Sequence, residues 1–261
     1  MLRNALCSVG LFLCSFSFSA IVETSFFREI YQHIDKETLI VLDIDDTLLI
    51  PKQMLGSDEW FCHRIKLYQS QGLDKAQALE TALAEWEGIR HVSQMQLVEP
   101  LTHLIIEDLQ KQGYPIIGLT TQGLGLATRT YLQLKENEID LTKTAPFKKD
   151  CFFQLQEHGI LFRHGILFTS GQSKAECFER LCAHLNVHPQ KIIFVNDKQT
   201  HLADLEAYAT AKEIPFIGLR YGYSDFRKKA FNAKIADYQF SHSSFSRILS
   251  DEEALKELSI K

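Results

Sequence analysis

No block of basic residues runs through this chain, whose 28 Lys and Arg stand against 33 Asp and Glu for a formal net charge of -5. A nucleic-acid binder gathers cations into a stripe that neutralises phosphates, so that class of partner is not expected. Spacers rich in Gly, Ser or Pro are missing as well, with 13 Gly and 6 Pro in 261 residues. Their absence removes the usual sign of two independently folding units. Nor is the chain poor in core formers: 45% hydrophobic and 11% aromatic content supports one large domain with a modest insertion and excludes disorder. Cysteines are few and uninformative about the redox compartment. Cys7 and Cys14 lie near the start, and Cys177 and Cys182 fall on one expected helix as buried thiols, too far apart along it to bridge without distortion. Cys62 and Cys151 pair only if the fold brings them together.

The start of the chain differs from the rest. Arg3 precedes an uncharged, apolar segment from Ala5 to Phe18, with small residues at Ser17, Ser19 and Ala20. This order describes a secretory signal over 1–19 and a mature chain from Ala20. A retained N-terminal anchor is the alternative, because Asn4 to Val22 approaches the length of a bilayer span. Leu13 is too bulky to precede a lipidated Cys14. The expected location is periplasmic or secreted, with no stable membrane insertion once the signal is removed.

The chain is organised around Ile40-Val41-Leu42-Asp43-Ile44-Asp45-Asp46-Thr47-Leu48-Leu49. A short β-branched run closed by polar residues reads as a buried parallel strand. Ligands of open α/β sheets sit beyond the carboxyl ends of such strands. Asp43 therefore stands at the rim of a crevice with Asp45 beside it, where two carboxylates repel unless a cation or proton shares the site. Downstream, Pro115–Gly123 is a second strand ending in Thr120 and Thr121, and Lys191–Val195 a third ending in Asn196-Asp197. Pro215–Leu219 is a fourth, and Lys174 opens a helix running to about Leu185. Strands alternating with helices predict a three-layer, Rossmann-like parallel sheet, with core segments 20–49 and 97–261.

Between about Ile50 and Gln96 the pattern turns helical, and this 50–96 stretch is expected to be a small cap over the crevice. Asp74 reads as an N-cap, followed by Ala76, Leu79, Leu83 and Trp86 at helical spacing. Trp60, Phe61 and Trp86 suit the core of that insertion, with substrate contact as an alternative for Trp60. Further expectations are a helix over Glu23–Lys36 and one begun by Pro100 with Leu101, Leu104, Ile105 and Leu109 on one side. Gly125–Glu136 reads as a helix and Gly159–Phe162 with Gly165–Phe168 as two strands about a turn. Ala236–Phe240 reads as a strand, and a last helix follows Ser250 with Glu253 completing a capping box.

The strand-borne Asp-x-Asp-x-Thr at Asp43–Thr47, then Thr120, Lys174 in Gly171-Gln172-Ser173-Lys174, and Asn196-Asp197, resemble in order and spacing the haloacid dehalogenase-like superfamily. Within it the chain looks like an exported bacterial family of dehalogenase-like phosphatases (DUF2608-like). The resemblance implies a phosphomonoesterase acting on small-molecule phosphate esters or a phosphoprotein. Asp43 would be the nucleophile and Asp45 the general acid/base. Thr120, or Thr121 one residue on, and Lys174 would bind the phosphoryl group, with Mg²⁺ held about Asp43, Asp45, Asp197 and Asn196. Residue chemistry agrees: a carboxylate attacks an anionic ester only if a cation masks the repulsion, and Mg²⁺ suits an oxygen-only site. Asn196 departs from the pattern, since many members carry Asp there, and it lowers the charge available to a metal. The rival readings are a non-catalytic binding protein, which Asn196 favours, and a phosphotransferase. His184 and His188 have a spacing seen in zinc sites but no evident third ligand.

Overall fold

The computed structural model describes residues 19–243 and 247–260. In chain order the first elements are β1 (Ser19–Thr24), β2 (Thr38–Leu42), β3 (Leu49–Pro51), α1 (Asp58–Ser70), α2 (Lys75–Val92), β4 (Met95–Leu97), α3 (Thr102–Lys111) and β5 (Ile116–Thr120). Then come α4 (Ala127–Glu136), β6 (Cys151–Leu155), β7 (His158–Arg163), β8 (Ile166–Phe168), α5 (Lys174–Leu185) and β9 (Lys191–Asn196). The last are α6 (Gln199–Ala211), β10 (Phe216–Tyr221), α7 (Asp225–Lys229), α8 (Ala233–His242) and α9 (Asp251–Ile260).

The strands other than β3 and β4 form an eight-stranded sheet in the order β1-β10-β9-β2-β5-β8-β7-β6. Pairing is parallel from β1 through to β8, and β7 and β6 extend the sheet antiparallel. All five residues of β2 are buried, as a central strand covered on both faces requires. Side-chain alternation then builds two cores. Ile40 and Leu42 pack with Ile106 and Leu109 of α3 and Leu134 of α4. Leu39 and Val41 pack with Phe178 and Leu181 of α5 and Leu202 and Leu205 of α6. Helices thus cover both faces, giving the expected three-layer α/β architecture. Leu42 stands opposite both Val195 and Gly118, so β2, β9 and β5 deliver their carboxyl ends to one edge.

The chain leaves this core through β3 and returns through β4. These pair antiparallel with Ile50 opposite Gln96, and α1 and α2 lie between them. Ser57 and Asp74 cap the two helices through their side chains, and Arg64 clamps α1 to Glu85 of α2 at 2.8 and 2.9 Å. The pair is also fixed to the C-terminal region. Trp60 and Trp86 share a cluster with Ala236 and Phe240, and Gln239 accepts the Leu55 N–H at 3.0 Å.

Several expectations differ from the structure. Residues Glu23–Lys36 are not one helix: β1 runs to Thr24 and a 3-10 turn covers Phe27–Gln32. The edge of β10 captures this segment, and tertiary pairing overrides its helical pattern. Ala236–Phe240 is helical, not a strand, because Asn232 caps α8 and the buried residues Ile235, Ala236, Tyr238 and Gln239 lie around a helix. In α3 the buried residues include Ile106 and Leu109, while Leu101 and Leu104 are exposed. β6 is a strand beyond those expected, pairing antiparallel with β7 from Cys151 opposite Phe162. Cys62, Cys151, Cys177 and Cys182 are all free. Cys177 and Cys182 are buried as expected, and burial pushes both thiols up to about 12. The signal expected over 1–19 lies outside the described residues except for Ser19.

Candidate active site

The loop after β2 is built by its backbone. Asp43 still donates its N–H to Val195 across the sheet at 3.0 Å, after which Leu48 and Leu49 both donate to the Ile44 carbonyl at 2.9 Å. Buried Ile44 and Leu48 root the loop in the core. Asp46 takes the sharp position with φ of 58°, a left-handed conformation that Asp tolerates better than most side chains. The Thr47 hydroxyl accepts the Asp197 N–H at 3.1 Å, tying this loop to the one after β9.

Asp43 meets Lys174 at 2.5 Å, and both side chains are buried. Lys174 is the first residue of α5, where the helix dipole disfavours a cation. Asp43 supplies the compensating charge. Burial raises the Asp43 carboxyl to about 7; Lys174 opposes this, while Asp197 and Asp45 add to it.

Asp45 is held on both oxygens. Oδ1 accepts from the Arg90 guanidinium of α2, and Oδ2 from the Gln122 side-chain amide at 2.8 Å. Gln122 in turn accepts from Thr130 of α4, and Gln133 of α4 donates to the Arg90 carbonyl at 3.0 Å. Arg90 is only 2% exposed, so a fully buried cation from the insertion fixes a carboxylate of the core.

On the other side, Asp197 Oδ2 pairs with Lys228, while its Oδ1 is buried and has no hydrogen-bond partner among the described residues. The Asn196 side-chain oxygen accepts the Lys198 N–H at 2.7 Å, closing the turn that presents Asp197. Lys198 pairs with Asp58 at the start of α1. Burial works to raise the Asp58 carboxyl, but Lys198 outweighs it and holds the group below its ordinary value. His201 beside them is lowered to about 4, first by burial and then by Lys174 and Lys198. Burial, reinforced by Asp58 and by Asp197 against the opposition of Lys228, raises Asp46.

These groups face two openings. A cavity of about 600 Å³ is lined by Asp43, Asp45, Lys174, Thr121, Lys198 and His201, with carbon side chains of α1 and α2 above them. A second depression of about 610 Å³ is lined by Asp46, Asp197, Glu59 and Lys228. Thr120 does not line either. Its hydroxyl is buried and accepts the Gln122 N–H at 3.2 Å, whereas Thr121 lines the first cavity. Trp60 is fully buried against Phe240, and Phe61 reaches the cavity in its place.

Among the described residues, no group of three or more His, Cys, Asp or Glu forms a metal cage. The donor set nonetheless fits an oxygen-seeking cation that keeps several waters. Among the described residues Asp197 Oδ1 is a buried carboxylate oxygen without a partner, and burial, with Asp197 and Asp45 adding to it, raises the Asp43 carboxyl beside it. Asp43, Asp45, Lys174 and the Asn196-Asp197 turn were legible from the sequence. Arg90, Gln122, Lys198 and Lys228 were not, because nothing local marks a cation or amide whose partner lies tens of residues away.

Comparison with known proteins gives one family match: residues 23–255 fit the family described as "Protein of unknown function (DUF2608)". A Chlamydia pneumoniae protein named "Putative outer membrane protein" is 28% identical over 229 residues, covering 83% of this chain and 82% of the relative. A second protein of that species with the same name is 26% identical, covering 94% and 93%. Among solved structures, a haloacid dehalogenase-like family hydrolase from Streptococcus pneumoniae aligns with a TM-score of 0.44 at 16% identity, over 69% of this chain and 93% of that one.

Proposed function

The chain belongs to this DUF2608 family, whose description assigns no chemistry, and we propose from the site itself that the protein is a Mg²⁺-dependent phosphomonoesterase working through a phosphorylated Asp43. The observation that carries the proposal is the buried Asp43–Lys174 pair at the β2 strand end, opening into a cavity that Asp45 also lines.

Lys174 and the Thr121 hydroxyl would bind phosphoryl oxygens, Lys174 leaving Asp43 for the more highly charged group. Asp43 attacks phosphorus in line. A bond forms between its oxygen and phosphorus, the ester P–O bond breaks, and the leaving alcohol takes a proton from Asp45. Water then gives a proton to Asp45 and attacks phosphorus, which frees Asp43 and inorganic phosphate. Arg90 and Gln122 would hold the Asp45 carboxyl in place for both proton transfers. Asp43 and Asp197 would hold the metal, with the Asn196 turn setting the position of Asp197. When bound it would neutralise the repulsion between substrate and carboxylates.

The test is phosphate release from a panel of esters across Mg²⁺ concentrations. Asp43→Asn is expected to abolish turnover while the protein stays folded. Asp45→Asn should cost about 10²–10⁴-fold, the usual general acid/base contribution, with a residual rate for good leaving groups. Wild-type activity on no ester, or full activity in Asp43→Asn, would overturn the mechanism. One feature favours a second reading, a non-catalytic phosphate binder: Arg90 and Lys228 already neutralise Asp45 and Asp197. Phosphate binding without turnover would select that reading. Added alcohol acceptors, if phosphorylated, would select a phosphotransferase.

Export from the cytoplasm is the proposed location. It is supported by the Arg3-to-Ala20 pattern and by the outer-membrane naming of the chlamydial relatives. Among the described residues no helix is long and apolar enough to cross a membrane.

A further inference from the structure

Leu79 and Leu83 lie one turn apart on α2 and are 45% and 39% exposed. At that spacing a leucine pair normally belongs to the stripe a helix buries. Here Ala78, Ala82 and Trp86 are the buried apolar residues of α2, and the leucines instead line the cavity above Asp43, Asp45 and Lys174. Phe61 of α1 joins them, its ring 5.8 Å from that of Trp86. Trp86 is held in turn by the Arg90 guanidinium, 5.1 Å from its ring centroid.

The cavity therefore combines charged and apolar walls, with Asp58, His158, Ser170 and Gln172 also in its lining. Its floor carries the charges suited to a phosphoryl group. Phe61, Leu79 and Leu83 above it have no side-chain donor or acceptor. A sugar or polyol seated against them would lose hydrogen bonds to water and regain none from these residues. An apolar group seated there would bury surface on both sides. The volume of about 600 Å³ lies within the range of cavities that enclose a whole small ligand.

We propose that the substrates of this site are phosphate monoesters whose alcohol carries an apolar body, seated against Phe61, Leu79, Leu83 and Trp86. This rests on the phosphatase reading for turnover, but the wall's preference for carbon can be measured without it.

The turnover arm compares methyl, butyl and hexyl phosphates with glycerol 3-phosphate and 2-phenylethyl phosphate, all esters of primary alcohols. Phosphate release with Mg²⁺ should show kcat/KM rising about fourfold per buried methylene until the wall is covered. Hexyl phosphate should exceed glycerol 3-phosphate by tenfold or more, and the phenylethyl ester tells an aromatic body from a chain. In a Leu79→Asn, Leu83→Asn double variant the hexyl-to-methyl ratio should fall at least tenfold. The binding arm measures hexylphosphonate against methylphosphonate by calorimetry on the same two proteins. Hydrolysis with no dependence on chain length, or with a ratio unchanged in the double variant, overturns the inference and leaves the phosphatase standing. No hydrolysis, but tighter binding of hexylphosphonate that the double variant abolishes, supports the apolar ligand class and overturns the phosphatase. Neither hydrolysis nor a binding difference overturns both.

Discussion

Asp43 and His201 make opposing contributions to stability as pH changes. Asp43 is raised from 3.8 to about 7 chiefly by burial, so the folded state holds a proton that the unfolded chain has lost. Its stabilising contribution is complete below about 4 and is lost as pH rises through 7. His201 is lowered from 6.5 to about 4, by burial and then by Lys174 and Lys198. Its contribution is complete above 6.5 and is lost as pH falls through 4. His201→Gln removes the second term, so in EDTA its melting temperature relative to wild type should rise as pH is lowered from 7 to 4.5. A constant difference across that range would refute the assignment. Asn196 offers a second test, because its side-chain NH₂ is buried without a partner among the described residues while its oxygen closes the turn to Lys198. Asn196→Asp keeps the oxygen and adds a negative charge near Asp43 and Asp197. The variant should melt lower than wild type in EDTA and gain more from Mg²⁺, as binding to the folded state dictates. Arg90→Ala should be costly, since breaking a buried pair leaves a stranded charge worth about 3–5 kcal/mol, with the lower end expected because Asp45 opens to the cavity. Asp43, Asp45, Lys174 and Asp197 could be found in the sequence because each sits at a strand end or helix start that its own neighbours define. Arg90 could not, because a basic residue in the last turn of a helix reads as a match to the helix dipole, and its partner is 45 residues away.

Among the elements, α1 and α2 show how one hydrophobic pattern can serve two ends. Trp60 and Phe61 are adjacent, yet Trp60 is fully buried against Phe240 of α8 while Phe61 lines the cavity. Trp60→Ala should therefore cost stability, about 3–5 kcal/mol as for a large core aromatic, and lower the melting temperature. Phe61→Ala should instead raise KM for apolar esters with a smaller loss of stability. The reverse outcome would place Trp60 in the substrate site. Composition alone could not separate the two, because both are aromatic residues in the first turn of a helix and only the position of α8 decides. The same limit explains the misread ends of the chain. β2, β5 and β9 were legible because a strand buried on both faces is a continuous apolar run. β1 is an edge strand with a half-buried pattern, and only the free side of β10 makes it a strand. The Ala236, Tyr238, Phe240 alternation suggested period two, but Asn232 accepts the N–H groups of both Lys234 and Ile235 and starts a helix there.

For the whole molecule, the sheet itself sets how much of the N-terminus the fold requires. β1 pairs with β10 from Ser19 opposite Phe216 to Thr24 opposite Tyr221, and the Thr24 carbonyl accepts the Gly222 N–H at 2.9 Å. Ile21 packs on the core face that holds Phe216 and Leu205. A chain beginning at Ala20 loses one register pair and the hydrogen bond from the Ser19 hydroxyl to Glu206, and keeps the rest of the strand. That change is surface-like, so its melting temperature should stay within about 2 °C of a chain beginning at Ser19. A chain beginning at Ser25 is different. It uncovers the N–H and C=O groups along β10 and the apolar surface under Ile21, leaving an open edge that can pair with another molecule. It should melt lower and aggregate as concentration rises, which differential scanning calorimetry and light scattering would show. Equal stability of the Ala20 and Ser25 chains would mean that β1 contributes nothing. A cut before Ala20 is thus one that the fold tolerates, and N-terminal sequencing of the protein from cell fractions should find Ala20 in the exported pool. Protein found only in the cytoplasm and still beginning at Met1 would sink the export proposal while leaving the strand argument intact.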